Sequence, residues 1–178
     1  MADKNLNVFI VDDDPMQAEM TKDALSKYPH FKFMIFNTGE EALAEMKKSG
    51  IHPSIVILDY FLNSQKANAA TGMAVLKKLM SLEKPPQVVM VSGQDKIEVA
   101  VNCIKYGAFD YVIKNESVFV RLEQVVKKIL HERKIMWENR LYKRLFLGTA
   151  IGFVMIITFV ITLSFMGFDV LGSKGYGE

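Results

Sequence analysis

Asp12, Asp13 and Asp59 bring carboxylates, Ser92 a hydroxyl and Lys114 an ammonium, and each follows directly on a short apolar run. Asp12 and Asp13 follow Asn7–Val11, Asp59 follows Ser54–Leu58, Ser92 follows Gln87–Val91, and Lys114 follows Phe109–Ile113. If these runs are strands of one open parallel sheet, their carboxyl ends converge on the crevice where such sheets bind ligands. Three carboxylates in one small pocket repel each other and require a counter-charge. Oxygen-only ligation suits a hard divalent cation, most naturally Mg2+ with waters completing an octahedron. Lys114 supplies a second positive charge. Such a pocket suits a dianionic phosphoryl group and a carboxylate nucleophile, because phosphoryl transfer depends on positioning and charge neutralisation more than on acid–base chemistry. Asp59, within ILDYF, is the carboxylate best placed to attack.

The elements that must position these groups are legible across residues 1–120. A fifth apolar run, Phe31–Phe36, joins the four above. The runs around Val8, Ile55 and Val88 are β-branched and nearly all apolar, as central strands covered on both faces should be. Helical patterns lie between them. Pro15 after Asp14 marks N1 and N-cap positions, and Thr38 with Glu41 has capping-box spacing before Ala42, Leu43 and Met46. Val75 and Leu76 precede Lys77 and Lys78 on a third helix, and Ile97, Val101 and Ile104 stripe a fourth. A fifth starts near Ser117 with a core-facing stripe of Val118, Leu122, Val125 and Ile129. The one long loop expected is Asn63–Thr71. Five βα units imply an α/β fold with a doubly wound parallel sheet.

Residues 5–130 resemble the receiver domain of two-component response regulators. The resemblance rests on VDDDP at 11–15, ILDYF at 57–61, VSGQD at 91–95 and GAFDYVIK at 107–114, in family order and at near-family spacing. It implies a flavodoxin-like, chemotaxis-regulator-like sheet of five strands in the order 2-1-3-4-5. It implies that Asp59 takes a phosphoryl group from a phosphohistidine on a histidine kinase or phosphotransfer protein and becomes an aspartyl phosphate. By the same resemblance Asp13, Asp59 and the backbone carbonyl of Phe61 ligate Mg2+, and Asp12 acts mainly through water. Lys114 pairs with phosphoryl oxygens, Ser92 is the switch hydroxyl and Tyr111 the switch aromatic. No enzymatic activity is implied beyond Mg-dependent self-phosphorylation and dephosphorylation. The chain departs from the family in having Asn115 where proline usually follows the lysine. Its loop after Asp59, NSQKANAATG, lacks the usual proline and is several residues longer. Phe61 and Gln94 stand beside the path of an attacking water.

Composition sets the remaining bounds. A net charge of +2 and no basic stripe in the first 120 residues give no support to nucleic-acid binding. The single cysteine, Cys103, excludes an internal disulfide framework and reads as a small buried hydrophobe. From Leu145 to Phe168 the sequence holds 24 residues without a charge. As a helix that is roughly 36 Å long, enough to cross a hydrocarbon core of about 30 Å. The segment HERKIMWENRLYKR has neither Gly nor Pro and runs into this span, so one nearly continuous helix is expected from the receiver into a membrane. The division expected is a receiver at 1–130, a basic helical linker at 131–144, a transmembrane helix at 145–168 and a short tail at 169–178, with no output domain for DNA binding or catalysis. His131 with Glu132 resembles the phosphoacceptor dipeptide of histidine kinases, but in this linker a solvated histidine is the expectation.

Arg133, Lys134, Arg140, Lys143 and Arg144 precede the span and only Lys174 follows it. By the positive-inside rule the receiver is expected in the cytoplasm, at the inner membrane, with the tail outside. Tyr142 and Phe168 are placed at the near and far interfaces. Gly148 and Gly152 form a G-x-x-x-G pair through which two helices can approach as a homodimer. Two functional classes follow: a phosphorylation-dependent signalling switch, and a phosphorylation-independent receiver-like membrane scaffold or adaptor. The intact acidic cluster and Lys114 favour the first.

Overall fold

Strands that are apolar at every position need cover on both faces, and alternate side chains must then serve two separate cores. The computed structural model, which describes residues 5–62 and 70–165 and only the backbone of 139–141, 143, 144 and 165, has that arrangement. The elements run β1 (Leu6–Val11), α1 (Pro15–Leu25), β2 (Phe31–Phe36), α2 (Gly39–Ser49), β3 (Ile55–Asp59), α3 (Gly72–Met80), β4 (Gln87–Ser92), α4 (Ile97–Lys105), β5 (Asp110–Ile113) and α5 (Val118–Phe165). The five strands pair in parallel in the order β2-β1-β3-β4-β5, as the resemblance implies. Val8, Ile10, Ile57 and Val89 face one core with Ala18 and Leu25 of α1 and Leu122, Val125 and Ile129 of α5. Phe9, Val11, Leu58 and Met90 face the other with α2, α3 and Cys103 of α4. Each fully buried aliphatic side chain contributes about 1.5–3 kcal/mol, so this alternation holds the register of the central strands.

The helix signals operate largely as read. Asp14 caps α1, its carboxylate accepting from the amides of Met16 and Gln17, and Pro15 takes the first helical position. Thr38 caps α2 by accepting from Glu41 N at 3.2 Å. The return bond differs from a standard capping box, since Glu41 Oε2 accepts from Asn37 N, one residue earlier, at 3.2 Å.

The structure adds detail to three expectations. β3 and β4 each continue one residue further, because Asp59 pairs with Val91 and Ser92 with Ile113; two site residues thus belong to the ladder itself. The stripe of Ile97, Val101 and Ile104 faces solvent, with relative exposures of 75%, 57% and 47%. Helical spacing shows that these residues share a face. The inward face is made by Cys103, with Val99 packed beside it. Of the expected loop Asn63–Thr71, residues 63–69 lie outside the described residues, and Thr71 is the N-cap of α3, accepting from Ala74 N.

The chain divides into two units, Met1–Leu130 and His131–Glu178. In the second, Leu145–Ser164 form a stretch of α5 with mean hydropathy 2.4 and no buried residue, long and apolar enough to cross a membrane by length and composition. Phe168, Lys174 and the tail from 169 lie outside the described residues, as do the side chains of Arg140, Leu141, Lys143 and Arg144.

Candidate functional site

In a parallel sheet every strand presents the same end to the same edge, so residues distant in sequence become neighbours there. Asp12 and Asp13 leave β1, Asp59 ends β3, Ser92 ends β4 and Lys114 follows β5. All four acidic or hydroxyl groups are buried: Asp12 and Asp13 are 6% exposed, Asp59 5% and Ser92 0%. Asp12, Asp13 and Asp59 each offer a carboxylate oxygen within 4.8 Å of the others. Lys114 Nζ reaches Asp12 Oδ2 at 2.9 Å and Asp59 Oδ2 at 3.1 Å. The other oxygen of Asp12 accepts from Asp14 N at 3.0 Å. Of three successive acids, the last caps the helix and the first two stay at the strand end.

Lys114 is shared between Asp12 and Asp59, so neither carboxylate has it alone. Burial pushes the Asp59 carboxyl up to about 6, with the negative charge of Asp12 adding to the shift. The charge and hydrogen bond of Lys114 and the backbone amide of Phe61 pull the other way and do not win. Burial also acts against the charged form of Lys114, but its hydrogen bond to Asp12 and the charges of Asp59 and Asp12 leave it raised, hence firmly protonated. A small divalent cation fits this donor set. Two oxygens on one octahedral Mg2+ with bonds of about 2.1 Å lie about 3.0 Å apart when adjacent and about 4.2 Å when opposite, so carboxylate oxygens within 4.8 Å of one another would draw in to share one ion. The positive charge of such an ion would also pull the Asp59 carboxyl back down and so favour its ionised, nucleophilic form.

The backbone of Gln94 links Ser92 to Tyr111. Gln94 N donates to Ser92 Oγ at 3.1 Å, and Tyr111 Oη donates to the Gln94 carbonyl at 2.8 Å. Tyr111 is half-buried and packs against the core on the α4 side. Lys114 N donates to the Ser92 carbonyl at 2.7 Å, which ties the ends of β4 and β5 together. After Lys114, Asn115 accepts through Oδ1 from Ser117 N at 3.0 Å and Ser117 Oγ at 2.9 Å, and so starts α5 without a proline. Phe61 is 40% exposed and lies edge-on to the ring of Tyr60.

Sequence reasoning did not find three features. The Gln94 backbone link has no side-chain signature. Gly72 lies against the carbonyl of Asp59 itself, a contact between segments that only the fold brings together. Beside Lys114 an open groove of about 330 Å³ is lined by Gln17, Met20, Asn115, Glu116 and Phe119 among others; it joins α1 to the start of α5.

The doubly wound sheet with an acidic cluster and a lysine at its carboxyl edge defines a class of α/β proteins that act on a charged ligand at the strand ends. The response regulator receiver domain model matches residues 8–127, and the chain belongs to that family. It is 26% identical over 136 residues to the transcriptional regulatory protein MalR of Bacillus subtilis, covering 76% of this chain and 54% of MalR. To the transcriptional regulatory protein DpiA of Escherichia coli it is 28% identical over 134 residues, covering 75% and 56%. The chain thus spans about half the length of these curated relatives. Among solved structures, the receiver domain of NtrX from Brucella abortus is 28% identical with a TM-score of 0.60, covering 70% of this chain and 98% of that one. A CheY-like receiver domain protein from Methanospirillum hungatei is 25% identical with a TM-score of 0.60, covering 73% and 98%.

Proposed function

We propose that the protein is a membrane-bound phosphorelay response regulator whose Asp59 accepts a phosphoryl group from a histidine kinase or phosphotransfer protein. The observation that carries this is the meeting of Asp12, Asp13 and Asp59 with Lys114 at one sheet edge. In the step, an Asp59 carboxylate oxygen attacks phosphorus, the P–N bond of the donor phosphohistidine breaks, and the freed imidazole nitrogen retains the electron pair. Asp13, Asp59 and the Phe61 carbonyl would hold Mg2+, with Asp12 acting through water; the ion supplies charge neutralisation for the transferring oxygens. Lys114 moves from Asp12 and Asp59 to the new phosphoryl oxygens. The groove beside Lys114 gives a donor protein a surface next to the acceptor. Apart from self-phosphorylation and dephosphorylation, we assign the protein no enzymatic role.

Treatment of the full chain with acetyl phosphate and Mg2+ should add one phosphoryl group, read by intact-mass spectrometry. Asp59→Asn should add none, and Asp13→Ala should lose the metal dependence with most of the labelling. Equal labelling of wild type and Asp59→Asn would overturn the assignment and leave the scaffold reading. Residues 1–130 form the receiver, 131–144 the linker, 145–168 the membrane helix and 169–178 the tail in this proposal. The apolar stretch Leu145–Ser164 supports the anchor, and the excess of Lys and Arg before it supports a cytoplasmic receiver. Protease added outside intact cells should spare the receiver and remove a tag placed after Glu178; the reverse pattern would invert the orientation.

A further inference from the structure

The acceptor is held by more than its charged neighbours. The backbone of Asp59 and Tyr60 is gripped from two sides. On one, Tyr60 N donates to the Val91 carbonyl of β4 at 2.8 Å. On the other, the first residue of α3 rests on it: Gly72 N donates to the Tyr60 carbonyl at 3.1 Å. There is no room for a side chain in that contact. A Cβ at Gly72 would stand 2.1 Å from the Asp59 carbonyl oxygen, 2.8 Å from Tyr60 Cα and 2.9 Å from the Tyr60 carbonyl oxygen, all backbone atoms that cannot rotate away. Two residues earlier, Ala70 N donates to Glu40 Oε1 of α2 at 2.8 Å, which ties the approach to α3 back to a second helix.

We propose that the start of α3, seated on the acceptor's own carbonyl by Gly72 and held to α2 by Glu40, is a positioning element that sets where the Asp59 carboxylate stands among Asp12, Asp13 and Lys114. The proposal rests on the phosphoryl-accepting reading of Asp59. The carbonyl that Gly72 touches is bonded to the Asp59 Cα, so displacing it swings the carboxylate. A methyl group at Gly72 would force a displacement of about 1 Å, and misplacement on that scale costs on the order of a hundredfold in rate where positioning carries the reaction. Gly39 supplies the matched contrast. A Cβ there would stand 2.1 Å from Val75 Cγ2, a side-chain atom in the packing of α2 on α3, and touches no backbone of the site.

The test compares full-length wild type with Gly72→Ala, Gly39→Ala, Glu40→Ala and Glu40→Gln. For each, the rate of Asp59 labelling by acetyl phosphate at saturating Mg2+, the Mg2+ affinity and the thermal midpoint are measured. Gly72→Ala should label tenfold to a hundredfold more slowly, on the order expected for a misplaced acceptor, and bind Mg2+ more weakly. Gly39→Ala should lose thermal stability and label at close to the wild-type rate. Glu40→Ala should slow labelling, and Glu40→Gln, which keeps an oxygen for Ala70 N, should restore it. A folded Gly72→Ala that labels and binds Mg2+ like wild type overturns the proposal, as does slowing that merely tracks stability across both glycine variants. If Gly72→Ala does not fold, the Glu40 pair decides, and wild-type labelling by Glu40→Ala overturns it. If wild type itself takes no label, the phosphoryl reading has failed instead, and Mg2+ affinity alone decides the positioning claim.

Discussion

Lys114 Nζ lies 3.1 Å from Asp59 Oδ2, yet the Asp59 carboxyl is pushed up to about 6 by burial rather than held down by that contact. The lysine is shared: the same nitrogen is 2.9 Å from Asp12. In the metal-free protein the two members of the pair therefore have opposite effects on stability. Asp59→Asn removes a buried charge that the site cannot fully balance, and should stabilise the protein at pH 7 by about 1–3 kcal/mol. Lys114→Ala strips the counter-charge and should destabilise by about 3 kcal/mol. Urea unfolding in the presence of a chelator measures both, and variants shifting in the same direction would contradict the charge balance described.

The pH dependence follows with a definite sign. Folding raises the Asp59 pKa from 3.8 to about 6, so the folded state binds this proton more tightly than the unfolded state does. The resulting contribution is fully present below about pH 4 and is lost as pH rises through about 6, up to about 3 kcal/mol in all. Glu123, held down to about 2 by hydrogen bonds from Lys127 and Lys27, acts in the opposite direction at lower pH. The measurement is accordingly the difference in unfolding free energy between wild type and Asp59→Asn, followed from pH 4 to 7.5 without metal. It should widen with pH, and saturating Mg2+ should reduce it.

The link from Ser92 through Gln94 to Tyr111 predicts a conformational response. A phosphoryl group on Asp59 presents strong acceptor oxygens to the Ser92 hydroxyl, which now accepts from Gln94 N. If the hydroxyl swings toward those oxygens to donate, it is drawn away from Gln94 N, and Gln94, whose carbonyl holds Tyr111, is released to move. Amide exchange with and without a phosphoryl mimic should differ within residues 95–130. Tyr111→Phe, which removes the bond to the Gln94 carbonyl, should raise exchange there even without the mimic. Identical exchange in all three states would count against the switch.

What could be read from the residues alone divides along physical lines. The central strands were legible because both their faces are buried, which leaves nearly all-apolar runs rich in β-branched residues around Val8, Ile55 and Val88. The site was legible because a parallel sheet converts strand-end position into proximity, so Asp12, Asp13, Asp59, Ser92 and Lys114 needed no long-range information. Helix α4 was not, since the spacing of Ile97, Val101 and Ile104 defines a shared face without saying what it meets; the residues that turn inward are Cys103 and Val99. Contacts made by backbone atoms leave little trace: nothing marks Gln94 as the partner of Tyr111, and Gly72 is a bare glycine until the fold sets it against the Asp59 carbonyl.

The apolar stretch of α5 yields the last prediction. Gly148 and Gly152 lie one turn apart on α5, and a Cβ at either would meet no atom within 4 Å, so the surface they form is open. In lipid, helices associate through close packing, and small residues at G-x-x-x-G spacing lower the distance of approach. Thr149, Thr158 and Thr162 direct their hydroxyls to the carbonyls of Phe146, Met155 and Phe159 at 2.7–2.9 Å. Their hydrogen-bonding need is thus met within the helix, leaving packing as the source of any association. A dimer formed this way would hold two receivers at high effective concentration, so that phosphorylation could act on contacts between them. Cross-linking of the full chain in membranes should give a dimer that is lost in Gly148→Leu with Gly152→Leu, while membrane insertion is retained. An unchanged dimer yield in that double variant would exclude this face as the interface.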